Sequence, residues 1–416
     1  MNRLVVGLTL GGLLLALGLL VGFTTPWSVL PGAQPAVDVA RDFTSDQQAR
    51  EIAFHREVRP WSYASLFWGL AVAGLLALTP LGGRLVAGVG RPLGGGWVWQ
   101  VLLGTAALLV IGRVVTLPLD LWREQALRRY GLSTQSWAEY AVDVGKSVAV
   151  SAALSALALL ALVALARALP RTWWAWGALG AAGLVVAGSF VFPVVVEPVF
   201  NKFSALPAGQ LRTDLLELAR RDGVAVDEVL VADASRRTTA LNAYVSGFGA
   251  TRRIVVYDTL LREAPPAEVR LIVAHELGHT KNRDVLIGTA TGALGAAASV
   301  CALALLLSWP AARRWGRFPA AGDPRIVPLV LFGATVLTLL SGPAANLVSR
   351  RVEARADIHS LSLTRDVATF TASHRRLAVT NLSDLDPHPL AYAFFATHPT
   401  SPQRLALARE WQRLRG

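Results

Sequence analysis

Residues 271–309 read LIVAHELGHTKNRDVLIGTATGALGAAASVCALALLLSW, and two environments meet inside that stretch. From Val285 to Trp309 there is no charged residue, and the run is long enough to cross about 30 Å of hydrocarbon at a rise of about 1.5 Å per residue. The ten residues Leu271 to Thr280 carry two histidines and a glutamate instead. A polar helix that leads straight into a membrane helix is therefore expected. Six more apolar stretches of spanning length lie outward from it: Leu4 to Phe23, Trp61 to Pro80, Trp97 to Leu117, Ser147 to Ala166, Trp173 to Phe192 and Ile326 to Leu347. The first is longer than a signal-peptide core and lacks a clean small-residue cleavage site, so it reads as a retained span. Hydrophobic residues make up 53% of the 416 and charged residues 16%, against about 25% in soluble domains. The chain reads as mainly α, a polytopic helical membrane protein with about seven transmembrane helices.

The net charge of +12 comes without an aromatic-interleaved basic patch, so no nucleic-acid partner is expected. The basic residues follow the membrane flanks. With the N-terminus outside, the segments facing inward hold 30 Lys and Arg and those facing outward hold 9. The positive-inside rule then puts the N-terminus outside and the C-terminus in the cytoplasm. Three Lys against 37 Arg, with much Ala and Gly, point to a GC-rich, bacterial source and so to a bacterial cell membrane. The single cysteine, Cys301, excludes an intrachain disulfide and a cysteine-based metal site. Two polar regions, about Glu197 to Asp284 and Ser349 to Gly416, exceed ordinary loops. In the first, Leu211 to Arg221 has helical apolar spacing. Glu228 to Asp233 and Arg253 to Tyr257 read as strands, and Leu241 to Phe248 followed by 249–252 reads as a strand and turn. A small β-sheet is expected there. The organisation reads as a membrane region with five helices over 1–192 and a second unit over 193–416 that combines both polar regions with spans at about 285–309 and 326–347.

His275-Glu276-Leu277-Gly278-His279 is an HExxH in a helical context. Positions i and i+4 share a helix face, so both imidazoles can converge on one cation while Glu276, about 100° round the helix, faces an open coordination position. A catalytic Zn2+ takes three protein ligands and leaves one site for water. From Val285 through Gly322 there is no Asp, Glu or His, so the third ligand comes from further on. Asp323 falls in the loop across the membrane. Glu353, Asp357 and His359 follow the seventh span, where a helical hairpin returns them to the side of the HExxH. Glu353 and Asp357 share a helix face, which suits one ligand and one carboxylate orienting a ligand imidazole.

HELGH together with SRRVEARAD (Ser349 to Asp357) resembles the membrane zinc metalloproteases called type I CAAX prenyl endopeptidases. EPVFNKFSAL (Glu197 to Leu206), LNAYVSGFG (Leu241 to Gly249), RIVVYDTLL (Arg253 to Leu261), ATHPTSPQRL (Ala396 to Leu405) and RRYGLSTQS (Arg128 to Ser136) are similar to family segments in the family order. The resemblance implies one Zn2+ per chain held by His275, His279 and Glu353 at a site facing the interior of a helical chamber. It also implies general acid-base duty for Glu276 and transition-state and substrate contacts by His398 and Asn242. Asp357 is then the carboxylate beside the ligands, and Arg404 a tether for its own segment. His55, His359, His374 and His388 read as surface or loop histidines. The function expected is hydrolysis of peptide or membrane-protein substrates at the bilayer, with no one substrate indicated. A quality-control protease of the heat-shock type shares HExxH and a late Glu without an N-terminal membrane region of this size. A transporter, suggested by Arg113 within a span, and a scaffold with a structural metal are the readings from other classes.

Overall fold

The structure, a computed structural model, describes residues 1–31, 36–226, 228–247 and 252–415. Its principal helices in chain order are α1 (Arg3–Thr24), α2 (Ser45–Leu78), α3 (Trp97–Arg129), α4 (Trp137–Ala168), α5 (Trp173–Val191), α6 (Gln210–Asp222), α7 (Pro266–Lys281), α8 (Asp284–Ser308), α9 (Val327–Thr364), α10 (Val367–Thr380), α11 (Pro389–Phe395) and α12 (Ser401–Arg415). Seven of them, α1 to α5, α8 and α9, are long and apolar enough to cross a membrane. Leu8, Phe23, Leu154, Leu157, Leu179 and Leu340 on these helices turn outward and are more than half exposed. That arrangement suits hydrocarbon and would be costly in water. Inward, Val6, Val101, Leu159, Val163, Cys301, Leu307 and Ile326 form the membrane core.

Several helices outrun the apolar stretches that announce them. Helix α2 begins at Ser45 rather than Trp61, α4 at Trp137 rather than Ser147, and α3 and α9 end at Arg129 and Thr364. Hydropathy marks only the hydrocarbon-buried part of a helix. The backbone ladder continues into water where caps and pairs support it: capping boxes at Thr44–Gln47 and Ser136–Glu139 start α2 and α4, and Arg128 Nε reaches Glu124 Oε1 at 3.0 Å along α3. Arg113 is not a lone intramembrane charge. It pairs with Asp120 one to two turns on, and Ser65 donates to the same carboxylate at 2.9 Å.

The polar region before α8 contains a four-stranded mixed sheet: β1 (Phe203–Ala205), β2 (Glu228–Ala232), β3 (Ala243–Ser246) and β4 (Arg253–Tyr257), in the order β1-β2-β4-β3. Strands β2 and β4 run parallel with Leu230 opposite Val255, and β3 pairs antiparallel to β4 with Tyr244 opposite Val255. The strand expected from Leu241 is shorter, and the turn expected at 249–251 lies outside the described residues. Strand β1, three residues long and too short to show a period, was not anticipated. Ile254, Val256, Leu215, Leu260, Val273 and Leu277 form a second core that seats α6 and α7 under the sheet. This core fixes α7 beside the edge strand β3.

Candidate metal centre

Helix α7 starts with Pro266 at its first turn, where the missing N–H costs nothing. It buries Val269, Ile272, Val273 and Leu277 against the sheet. That leaves the opposite side to α9, and Gly278 permits the approach: a Cβ there would stand 3.1 Å from the Cβ and Cδ2 of His359. Across this close contact His275, His279 and Glu353 come together, with one ligand-capable atom of each within 4.8 Å of the others. Nε2 of His275 lies 3.3 Å from Glu353 Oε2, and Nε2 of His279 lies 3.4 Å from Glu353 Oε1. The two Nε2 atoms are 3.2 Å apart.

The partners of the other ring nitrogens decide what those atoms can do. His275 Nδ1 lies 3.0 Å from Asp357 Oδ1, and His279 Nδ1 lies 2.9 Å from Asp284 Oδ2. Ionised carboxylates only accept, so each Nδ1 carries the proton and each Nε2 of the neutral ring presents a lone pair. Two lone pairs facing one another beside Glu353, whose buried Oε2 lacks a hydrogen-bond partner among the described residues, are an arrangement that one divalent cation satisfies at all three groups at once. A donor set of two imidazoles and one carboxylate suits a divalent transition metal. The residues fit a bound metal ion.

Glu276 occupies the position after His275, and among the described residues its side chain takes up no hydrogen bond or ion pair. Burial raises its carboxyl above the ordinary value, with His275 and His279 pulling the other way. His398, in the loop between α11 and α12, brings Nε2 to 3.4 Å from Glu353 Oε2 and shares a 2.8 Å hydrogen bond between Nδ1 and Thr397 Oγ1. Asn242 is exposed and stands immediately before β3, its carbonyl accepting from Tyr257 N at 3.0 Å. Asp357 is fully buried and faces the Nδ1 side of His275, so the geometry separates it from the converging group that contains Glu353.

One contributor escaped the sequence reading and two others have roles it did not assign. Asp284 opens α8 and holds His279 while Arg355 of α9 pairs with its other oxygen; its place five residues after His279, at the start of a membrane helix, was the available signal. Arg404 does more than tether its segment, since Nε donates to Asp357 Oδ2 at 2.8 Å. His374 is buried, contrary to the surface reading. Its ring lies tilted against Phe370 with centroids 4.2 Å apart and stands 3.9 Å from Asp357 Oδ1, because α10 folds back over α7 and is held there by Arg376 and Glu268.

Seven membrane-length helices around an HExxH helix whose histidines meet a carboxylate from the last span define a polytopic membrane metalloprotease. Residues 205–412 match peptidase family M48, and residues 54–202 match the CAAX prenyl protease N-terminal region, described as five membrane helices. The uncharacterized metalloprotease YhfN of Bacillus subtilis (strain 168) is 33% identical over 305 residues, 73% of this chain and 72% of its own. The CAAX prenyl protease 1 homolog of Arabidopsis thaliana is 31% identical over 52% of this chain and 51% of its own length. For CAAX prenyl protease 1 of Saccharomyces cerevisiae the values are 27%, 53% and 47%. The chain thus spans about half the length of the plant and yeast relatives it matches. The crystal structure of S. mikatae Ste24p superposes with a TM-score of 0.77 at 20% identity over 98% of both chains, which shows the shared fold. The chain belongs to peptidase family M48 and is an integral membrane metalloprotease.

Proposed function

We propose that the chain is a zinc-dependent endopeptidase that hydrolyses peptide bonds at the cytoplasmic side of a bacterial cell membrane, with His275, His279 and Glu353 as the metal ligands. The observation that carries the reading is the pair of Nε2 lone pairs 3.2 Å apart beside the unpartnered Glu353 Oε2. Two imidazoles and a carboxylate are a donor set that catalytic zinc uses. When bound, the ion supplies Lewis acidity toward a water and toward the carbonyl oxygen of the scissile bond. The protein supplies the rest. Asp357 and Asp284 hold the two imidazoles in the tautomer that exposes Nε2. Glu276, raised by burial, takes the proton of the attacking water and returns it to the leaving amine. His398 stands beside the group and donates to the oxygen on which negative charge develops. Asn242 leads into β3, whose outer edge has no neighbour in the described sheet. An extended peptide can add there by main-chain hydrogen bonds, with Asn242 at its entrance.

The division of the chain into a membrane region, 1–192, and a metallopeptidase unit, 193–416, belongs to this proposal. So does the orientation with the N-terminus outside. Several relatives are named CAAX prenyl proteases, and the substrate class proposed here is broader: an extended peptide segment presented at the bilayer. The test is hydrolysis of a quenched-fluorescent peptide library by the full chain in liposomes. Activity is expected to disappear on chelation and return on adding Zn2+. Failure to cleave any peptide at full zinc occupancy would overturn the proposal.

A further inference from the structure

A cavity of about 400 Å3 lies beside α9, bordered by Asp357 and Arg404, which contact the Nδ1 side of His275. Leu347, Arg350, Arg351, Ala354 and Asp357 line it from that helix, one contiguous stripe at helical spacing. Glu353 is not among the lining residues and points roughly 100° away from the middle of the stripe. The opposite wall is the segment after α1, including Trp27 and Leu30, and α12 contributes Arg404 and Leu407.

Position in the bilayer follows from the two helices that frame the cavity. The apolar run of α1 ends at Thr24 and that of α9 near Leu347, so the mouth lies where the hydrocarbon gives way to water on the side of the metal centre. Trp27, 46% exposed, is the residue type that sits at this depth. The charges are uneven. Three guanidinium groups meet one carboxylate, and Arg404 already occupies both oxygens of that carboxylate. Arg350 is held by the carbonyls of Tyr392 and Ala396 at 3.0 and 2.6 Å and lies over the Tyr392 ring. Among the described residues Arg351 has no carboxylate, hydrogen bond or ring partner. An unpaired cation beside an apolar wall at the membrane boundary matches an amphiphile with an anionic head.

We propose that this cavity binds the headgroup of an anionic phospholipid from the leaflet on the side of the metal centre, with Arg351 contacting the phosphate and the first acyl carbons lying against Leu30, Leu347 and Leu407. The proposal rests on the membrane reading and not on the catalytic one, so it stands or falls separately. The test is native mass spectrometry of the full chain in neutral detergent, titrated with phosphatidylglycerol or with phosphatidylcholine of the same acyl chains. The wild-type chain should prefer phosphatidylglycerol. Arg351→Gln should weaken that lipid about fivefold, the loss expected for one basic residue at a lipid surface, and leave phosphatidylcholine binding unchanged. Arg351→Lys, which keeps the point charge, should retain the preference. Equal phosphatidylglycerol affinity in wild type and Arg351→Gln would overturn the assignment. So would displacement of the lipid by glycerol phosphate at equal concentration, which would make a soluble phosphate the ligand. A change confined to the KM of peptides with a free C-terminal carboxylate, absent for their amides, would make the cavity a substrate subsite and equally overturn it.

Discussion

Arg404 closes off Asp357: Nε lies 2.8 Å from Oδ2, Nη2 meets Oδ1, and Nη2 also comes within 3.2 Å of His275 Nδ1. The carboxylate is fully buried and the guanidinium nearly so. One buried ion pair therefore joins helix α12 to the Nδ1 side of His275, opposite the Nε2 that faces His279 and Glu353.

Asp357→Ala leaves Arg404 charged and unpaired in the interior, a change that costs about 3–5 kcal/mol. The double variant Asp357→Ala with Arg404→Met removes both charges and should recover part of that loss. Metal affinity should stay 10- to 100-fold down in either variant, as expected when a ligand histidine loses its carboxylate. Thermal unfolding in detergent reads the first effect and metal titration the second. A double variant no more stable than Asp357→Ala would mean that the pair does not carry the stability assigned to it.

Glu353 and Asp357 lie one helical turn apart and should respond differently to a chelator. Glu353→Ala removes a proposed ligand and should lose zinc during dialysis against a mild chelator. Asp284→Ala removes the partner of His279 Nδ1 and of Arg355 but no proposed ligand, and should keep zinc with lower affinity. Metal analysis of the purified variants gives the order, and retention of zinc by Glu353→Ala would remove that residue from the ligand set.

For Glu276 the expected signature is chemical rather than structural. Glu276→Gln keeps shape and leaves the ligands untouched, so zinc occupancy should match the wild type. Its amide cannot accept a proton, so kcat should fall by about 10²–10⁴-fold. Cleavage within a few-fold of wild type at full occupancy would move the general base elsewhere.

How far the sequence was legible depended on the range of the physics involved. Spans of about 20 apolar residues are a local property, and each of the seven expected stretches coincides with the apolar part of a helix long enough to cross a membrane. The HExxH is equally local: i and i+4 on one helix need no tertiary information. The count of membrane crossings put Glu353, Asp357 and His359 on its side, since two spans return the chain to where it started, and the choice of Glu353 among them rested on the family resemblance. His374, Asp284 and the strength of the Arg404–Asp357 pair were not legible, because each depends on contacts between elements. Arg404 meets Asp357 across 47 positions, and His374 is buried only because α10 doubles back on α7. Strand β1 was missed for a different reason: three residues cannot show an alternation.

Orientation is open to direct measurement. Ala320 is exposed in the loop between α8 and α9, while Cys301 is fully buried. Ala320→Cys in a Cys301→Ala background should react with a membrane-impermeant thiol reagent in intact spheroplasts, as the excess of Lys and Arg on the other side requires. Labelling seen only after the membrane is opened would reverse the topology.

The contact between α7 and α9 at Gly278 supplies the last prediction. Alanine in a helix interior is favoured over glycine by about 1 kcal/mol, so Gly278→Ala would be stabilising if the site had room. It has little, because the new Cβ would face His359 Cβ, Cγ and Cδ2 at 3.1–3.2 Å. That ring is not free to swing aside, since its Nε2 lies 3.0 Å from Asp222 Oδ2 and Asp222 is itself buried at the end of α6. Relief must come from moving α7 and α9 apart, and overpacking of this kind costs about 1–3 kcal/mol. The same displacement pulls His275 and His279 away from Glu353, so zinc affinity should fall even though no ligand has changed. His359→Gly in the Gly278→Ala background removes the obstructing Cβ and ring together and should restore zinc affinity toward the wild-type value. Measuring zinc affinity and thermal stability together decides the matter: a Gly278→Ala variant with unchanged zinc affinity would show that the helix spacing does not set the geometry of the three ligands.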